Sequence, residues 1–313
     1  MIKQYEIINN RVIASPQGQG QILVALAPDE QERAMLREQF QIDEYDMAST
    51  LDVDEVPRLD TTGGRLLAIW KVPDRAMVLQ SIELGIKVTG IIIHSDRLIF
   101  IHTGGELSFT EREYRNITDI RDVMLGFLLY TVRYFVSHLR AIRQISSELE
   151  KKITVSMENR HLLQMFNLSE SLVYYIDAIE GNAVVLSKLK NICGQIGFKP
   201  QQMELLDDII LENIQAARQA NIFSSVLSGL MDARGTIVNN NMNVLLKNLT
   251  LINIVFLPLN LIASIGGMSE WTMITEGMDW RISYSLFCVG MVVLGWLTWI
   301  LMKKMIDKGP QQD

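Results

Sequence analysis

Five polar residues, Asn243, Thr250, Asn253, Asn260 and Ser264, recur in a stretch otherwise dominated by Leu, Ile, Val and Phe. With Leu246 and Leu257, at ~100° per residue of helix, they fall within an arc of about 100°. The opposite face, Ile252, Val255, Phe256, Leu259 and Ile262, is apolar. Amide and hydroxyl oxygens are neutral acceptors, so they can bind the water carried by a hydrated cation without stripping it. Magnesium, small and reluctant to dehydrate, suits such oxygens best. Two readings compete for the stripe. It lines a water-filled lumen, with levels of amide or hydroxyl alternating with levels of leucine, or it joins helices by hydrogen bonds worth about 0.6 to 2 kcal/mol each.

The element that must carry these groups is a membrane span. Residues 245–265 and 282–302 are two apolar runs, each of roughly 21 residues, and at ~1.5 Å per residue either covers a ~30 Å hydrocarbon core. Polar groups in the first are costly against lipid unless they face protein or water. Several copies around an axis would point them into a shared lumen. Lys247, Lys303, Lys304 and Lys308 flank the spans on one side, while the connector of residues 266–281 holds Glu270, Glu276, Asp279 and Arg281. This asymmetry predicts a connector outside the cell and both termini in the cytoplasm. No apolar run follows Met1 as a secretory leader would require. The acids of the connector either concentrate cations at a mouth or simply follow the charge rule for external loops.

The preceding ~240 residues carry charge throughout and read as water-soluble. Short apolar runs at 65–72, 88–93 and 98–102 predict strands, the first opened by Gly63-Gly64 and the last two joined by a turn at Ser95-Asp96-Arg97. Pro28-Asp29 opens a charged amphipathic helix to Gln39. Residues 1–115 therefore form a small cytoplasmic α/β domain. From Thr118-Asp119 the apolar period becomes helical, through Ile120, Val123, Phe127, Phe135 and Leu139 towards Glu150. A second helix is expected over 162–190, with breaks at Gly194, Gly197 and Pro200. A third runs from Gln201 to Ile265 without a stop, about 100 Å of helix. Residues 116–244 thus make a cytoplasmic bundle and stalk, 245–265 the first span, 282–302 the second and 303–313 a cytoplasmic tail. A pattern so long points to a bundle, coiled coil or membrane-penetrating stalk, and self-association is the economical way to cover it.

Other chemistries find little support. A formal net charge of −7 among 313 residues argues against nucleic acid as a partner, leaving Arg133, Arg140, Arg143, Lys151 and Lys152 as a solvated helix face. His94, His102, His138 and His161 share no metal-ligand spacing, and Cys193 and Cys288 build no disulfide framework. Gly18-Gln19-Gly20 is too little for a phosphate loop, and no convergent catalytic set appears, so an enzyme is not expected.

Ser228-Gly229-Leu230-Met231-Asp232, Asn239 to Asn243, Leu257-Pro258-Leu259 and Gly267-Met268-Ser269 together resemble the CorA-type divalent-cation transporters, the two-transmembrane Gly-x-Asn superfamily. Ser171 to Tyr175, followed by Glu180-Gly181-Asn182, is similar to that family's bundle helix. The resemblance covers residues 118–302 and implies an α+β membrane protein of the bacterial-type inner (plasma) membrane. Its expected form is a funnel-shaped homopentamer, with a cytoplasmic α/β domain, long stalk helices and the first span around the pore. Positions matching the family's pore face are Asn243, Leu246, Leu249, Leu257 and Asn260. Asp207 and Asp208 fall where the family places acids that bind regulatory magnesium between subunits, though two aspartates in a first helical turn also complement its dipole. No cofactor is implied beyond the transported ion. The outer-mouth signature is Gly-Met-Asn in the family and Gly267-Met268-Ser269 here, preceded by Gly266 where an aromatic is usual. Serine is shorter and lacks a carbonyl, so a ring of it is wider and holds an ion less firmly. The implied activity is passive divalent-cation flux, magnesium first. Zinc or another transition metal, and a membrane scaffold or regulator that no longer transports, are the alternatives.

Overall fold

A computed structural model describes residues 1–15, 20–74, 85–105, 107–155, 159–269, 273 and 276–307. The chain forms two compact units, Met1–Met231 and Asp232–Asp313. In the first, seven strands make one sheet: β1 (Ile2–Ile8), β2 (Arg11–Ala14), β3 (Ile22–Leu26), β4 (Arg58–Thr62), β5 (Arg65–Pro73), β6 (Ile86–His94) and β7 (Arg97–His102). Their order is β2-β1-β3-β7-β6-β5-β4, antiparallel throughout except for the parallel pair β3 and β7. Tight turns set the hairpin registers. Asn9 and Asn10 (φ 51° and 58°) and Gly63 and Gly64 (φ 60° and 78°) adopt the left-handed conformations that two-residue hairpin loops require. Ser95 and Asp96 join β6 to β7, so Arg97 belongs to the strand rather than to the turn.

Both sheet faces are buried, which explains why β5, β6 and β7 read as continuous apolar runs rather than alternating ones. Leu23, Ala25, Leu67, Ile69, Ile92, Ile99 and Ile101 pack with Leu36, Phe40 and Met47 of α1 (Glu30–Phe40) and α2 (Glu44–Ser49). Their alternate neighbours Ile22, Val24, Leu66, Ala68, Trp70, Ile91 and Phe100 pack with Val123, Phe127, Val185, Leu186, Leu206 and Ile209 from three long helices. These are α3 (Ile120–Val155), α4 (Asn159–Ile196) and α5 (Pro200–Gly266). Asp29 caps α1 through a reciprocal capping box with Glu32, so it stands just before the first turn rather than in it.

Farther along, α3, α4 and α5 share a second core that includes Phe135, Leu139, Leu168, Leu172, Tyr175, Ile179, Ala216 and Ala220. The second helix is longer than the spacing suggested, running through Gly194 to Ile196. It stops at Gly197, whose φ of 77° lets the Phe198 N–H donate back to the Cys193 carbonyl at 3.1 Å. α5 is helical over 67 residues, through Gly229, Gly235 and Pro258. The second unit holds the end of α5 and α6 (Trp280–Asp307).

Candidate functional site

Two helices, Pro200–Gly266 and Trp280–Ile300, are long and apolar enough to cross a membrane. They form an antiparallel hairpin. A Cβ added at Gly266 would come 2.6 Å from the Phe287 ring, and one at Gly295 would lie 3.3 Å from Leu259 Cδ1. The Phe287 ring of α6 thus occupies the space that a side chain at position 266 would need. Along α5 the sheltered residues of this segment are Leu251, Val255, Leu259, Ile262 and Gly266. At ~100° per residue they occupy one arc, centred roughly 170° from the centre of the polar stripe. The stripe residues Asn243, Leu246, Thr250, Asn253, Leu257, Asn260 and Ser264, together with Leu249, are all exposed. α6 therefore covers the back of α5 and leaves the amides bare.

Their hydrogen bonding separates them. The Thr250 hydroxyl donates to the Leu246 carbonyl at 2.8 Å, so its proton is committed while its oxygen can still accept. On α6, Ser285 and Thr298 donate similarly to Arg281 and Leu294 carbonyls at 2.7 and 2.9 Å. The Asn243, Asn253 and Asn260 amides have no partner among the described residues. Pro258, inside the helix, has no N–H and so deprives the Ile254 carbonyl of its usual donor.

At the outer end, the Gly267 N–H donates to the Ala263 and Ser264 carbonyls at 3.1 and 3.2 Å, and Met268 N–H to Ile265 at 3.1 Å. The signature thus closes the last turn of α5, with exposed Ser269 next in the chain. Asp279 caps α6, its carboxylate accepting from the Arg281 N–H at 3.0 Å. Glu276 is exposed, and Glu270 lies outside the described residues, as does Lys308.

Asp207 and Asp208 stand beyond the first turn of α5, which holds no acid, so the dipole reading of this pair does not apply; Asp207 is paired with Lys190 at 2.6 Å, and Asp208 is exposed. Among the described residues, no group of three or more His, Cys, Asp or Glu could hold a metal.

Asn182 has a role that the motif Glu180-Gly181-Asn182 did not reveal by spacing. Fully buried on α4, it accepts from the Lys71 N–H at 3.0 Å and donates to the Lys71 carbonyl at 2.8 Å, tying the bundle to the flank of β5 beyond the end of its pairing with β4. Gly181 permits this approach, since a Cβ there would meet Pro57 Cγ at 2.7 Å. Lys71 also pairs with Asp177 at 2.9 Å. A buried Asn is the polar anomaly that could have flagged the contact. In the second core, His138 Nδ1 lies 2.7 Å from the Tyr175 hydroxyl. Burial pushes the His138 pKa down and the Tyr175 pKa up.

Known proteins match this arrangement. The chain is 26% identical over 250 residues to the cobalt/magnesium transport protein CorA of Methanocaldococcus jannaschii, spanning 77% of each. It is 28% identical over 200 residues to the Thermotoga maritima protein of the same name, covering 62% of this chain and 56% of that one. The complete structure of the CorA magnesium transporter from M. jannaschii superimposes with a TM-score of 0.71 at 18% identity, over 99% of this chain and 98% of the other. Full-length CmaX does so with 0.64 at 14%, over 97% of each. Residues 19–304 match the family described as CorA-like Mg2+ transporter protein, and the chain belongs to that family.

Proposed function

We propose that this protein is a passive divalent-cation channel or transporter, with Mg2+ as its main cargo, conducting through a homopentameric pore lined by α5. The observation that carries this reading is the direction of the polar stripe. It lies on the face of α5 away from α6, so within its own chain it is not glue for the neighbouring span. Amides exposed at membrane depth need water or another copy, and a ring of copies provides both. Asn243, Leu246, Leu249, Thr250, Asn253, Leu257, Asn260 and Ser264 line the lumen, and Gly267, Met268 and Ser269 form its outer mouth. The protein lies in the inner membrane with both termini cytoplasmic, as Lys247, Lys303 and Lys304 suggest. Both curated relatives carry cobalt beside magnesium in their names, so Co2+ is a second cargo to test.

The test is ion entry into liposomes holding the full chain, read with trapped dyes against a panel of Mg2+, Co2+ and Zn2+. Saturable Mg2+ entry supports the reading, and Zn2+ entry alone overturns the choice of ion. A second reading, a membrane scaffold that no longer transports, is motivated by Ser269 at the mouth. It gains if the protein as it stands conducts nothing while Ser269→Asn conducts.

A further inference from the structure

We infer that Asn253 forms a wet level near the middle of the membrane that divides the leucine-lined stretch of the pore and so sets its permeability to hydrated cations. The inference rests on the pore reading above and deepens it. Asn253 is about two residues, or ~3 Å, from the centre of the 245–265 span. There an unpartnered amide is most expensive unless water or protein meets it. It lies on the face of α5 opposite the α6 contact, is exposed, and has no hydrogen-bond partner among the described residues. A second, independent feature lies at the same height. Pro258 removes the helical donor of the Ile254 carbonyl, one residue along from Asn253. This level of α5 therefore carries two sets of unmet hydrogen-bonding atoms within one turn, where a lipid-facing helix would carry none.

The spacing gives the level its consequence. Leu246 and Leu249 lie below it and Leu257 above it, each ring a place where a narrow lumen can lose its water. With Asn253 present, the apolar gap to the next polar level, Asn260, is about 10 Å. Without it, the gap runs from Thr250 to Asn260, about 15 Å. Thr250 is the weaker of the flanking groups, because its hydroxyl proton is already given to the Leu246 carbonyl and only its oxygen can face an ion's water. The amide of Asn253 offers both a carbonyl and two N–H donors, so it can hold a chain of water across the gap.

The experiment compares the full-length protein with Asn253→Leu and Asn253→Gln in liposomes, reading Mg2+ entry with a trapped dye and assembly mass in detergent by light scattering. Asn253→Leu should lower Mg2+ entry at least tenfold with the mass unchanged, and Asn253→Gln should restore most of it. Equal entry through Asn253→Leu and the unaltered protein overturns the inference while leaving the pore intact. Loss of assembly mass in Asn253→Leu also overturns it, since the amide then joins copies rather than wetting a lumen. Absence of Mg2+ entry in the unaltered protein overturns the inference together with the reading on which it rests.

Discussion

Asn182 shows how much one amide can hold. Its two bonds to the Lys71 backbone take care of a buried N–H and a buried carbonyl in β5, and Asn182→Ala would leave both without partners. The expected cost is about 3 kcal/mol, read as a lower unfolding temperature of the full chain in detergent. Gly181→Leu should act on the same joint by a different cause. Its side chain would enter the space of Pro57, and overpacking of this kind costs about 1 to 3 kcal/mol. At the outer mouth the proposed change runs the other way. Ser269→Asn adds a longer side chain with a carbonyl to each copy, so a ring of asparagines should grip the water shell of Mg2+ more tightly. Half-saturation of Mg2+ entry would then move to lower concentration, and an unchanged value would mean that position 269 does not face the ion.

Elements were legible where their period was strong. β5, β6, β7 and the uninterrupted helix to Gly266 all follow from apolar pattern and turn residues, because those signals are local. The β1–β2 hairpin leaves little mark in the sequence although Asn9-Asn10 is a turn dipeptide, since its strands are half exposed and lack an apolar run. β3 pairs in parallel with β7 across more than seventy residues, and nothing local announces such a partner. The stripe on α5 was readable from period alone, whereas the cover that α6 gives its back was not. That cover is testable: Gly266→Tyr should push the hairpin apart, and adding Phe287→Ala should restore thermal stability by vacating the space. In the bundle, His138 is 4% exposed and its pKa is held below the ordinary 6.5 by burial. The unfolded chain therefore binds this proton more readily. The contribution is complete above about pH 6.5 and is lost as pH falls towards the lower, folded value. Melting temperature should drop between about pH 7.5 and about pH 5.5, and His138→Phe should flatten that slope.

For the whole molecule, the decisive feature is that α5 is apolar on two sides. Leu206, Ile209, Ala216, Ala220 and Leu227 bury one side in its own bundle. Leu211, Ile222 and Val226, 55%, 59% and 54% exposed, lie on the other, within an arc of about 60°. A helix with one apolar face packed and another bare calls for a further partner, and the proposed assembly supplies it as a second copy of the same helix. In that proposed assembly the bare arc would be the seam along which copies meet over residues 211–226. Ile222→Glu puts a charge on the bare arc at a side chain that is mostly exposed, so the fold should survive. The assembly should not: its mass in detergent should fall towards that of one chain, and Mg2+ entry should vanish with it. An unchanged mass would show that copies meet elsewhere, whereas a lower mass with entry preserved would place the ion path inside a single chain.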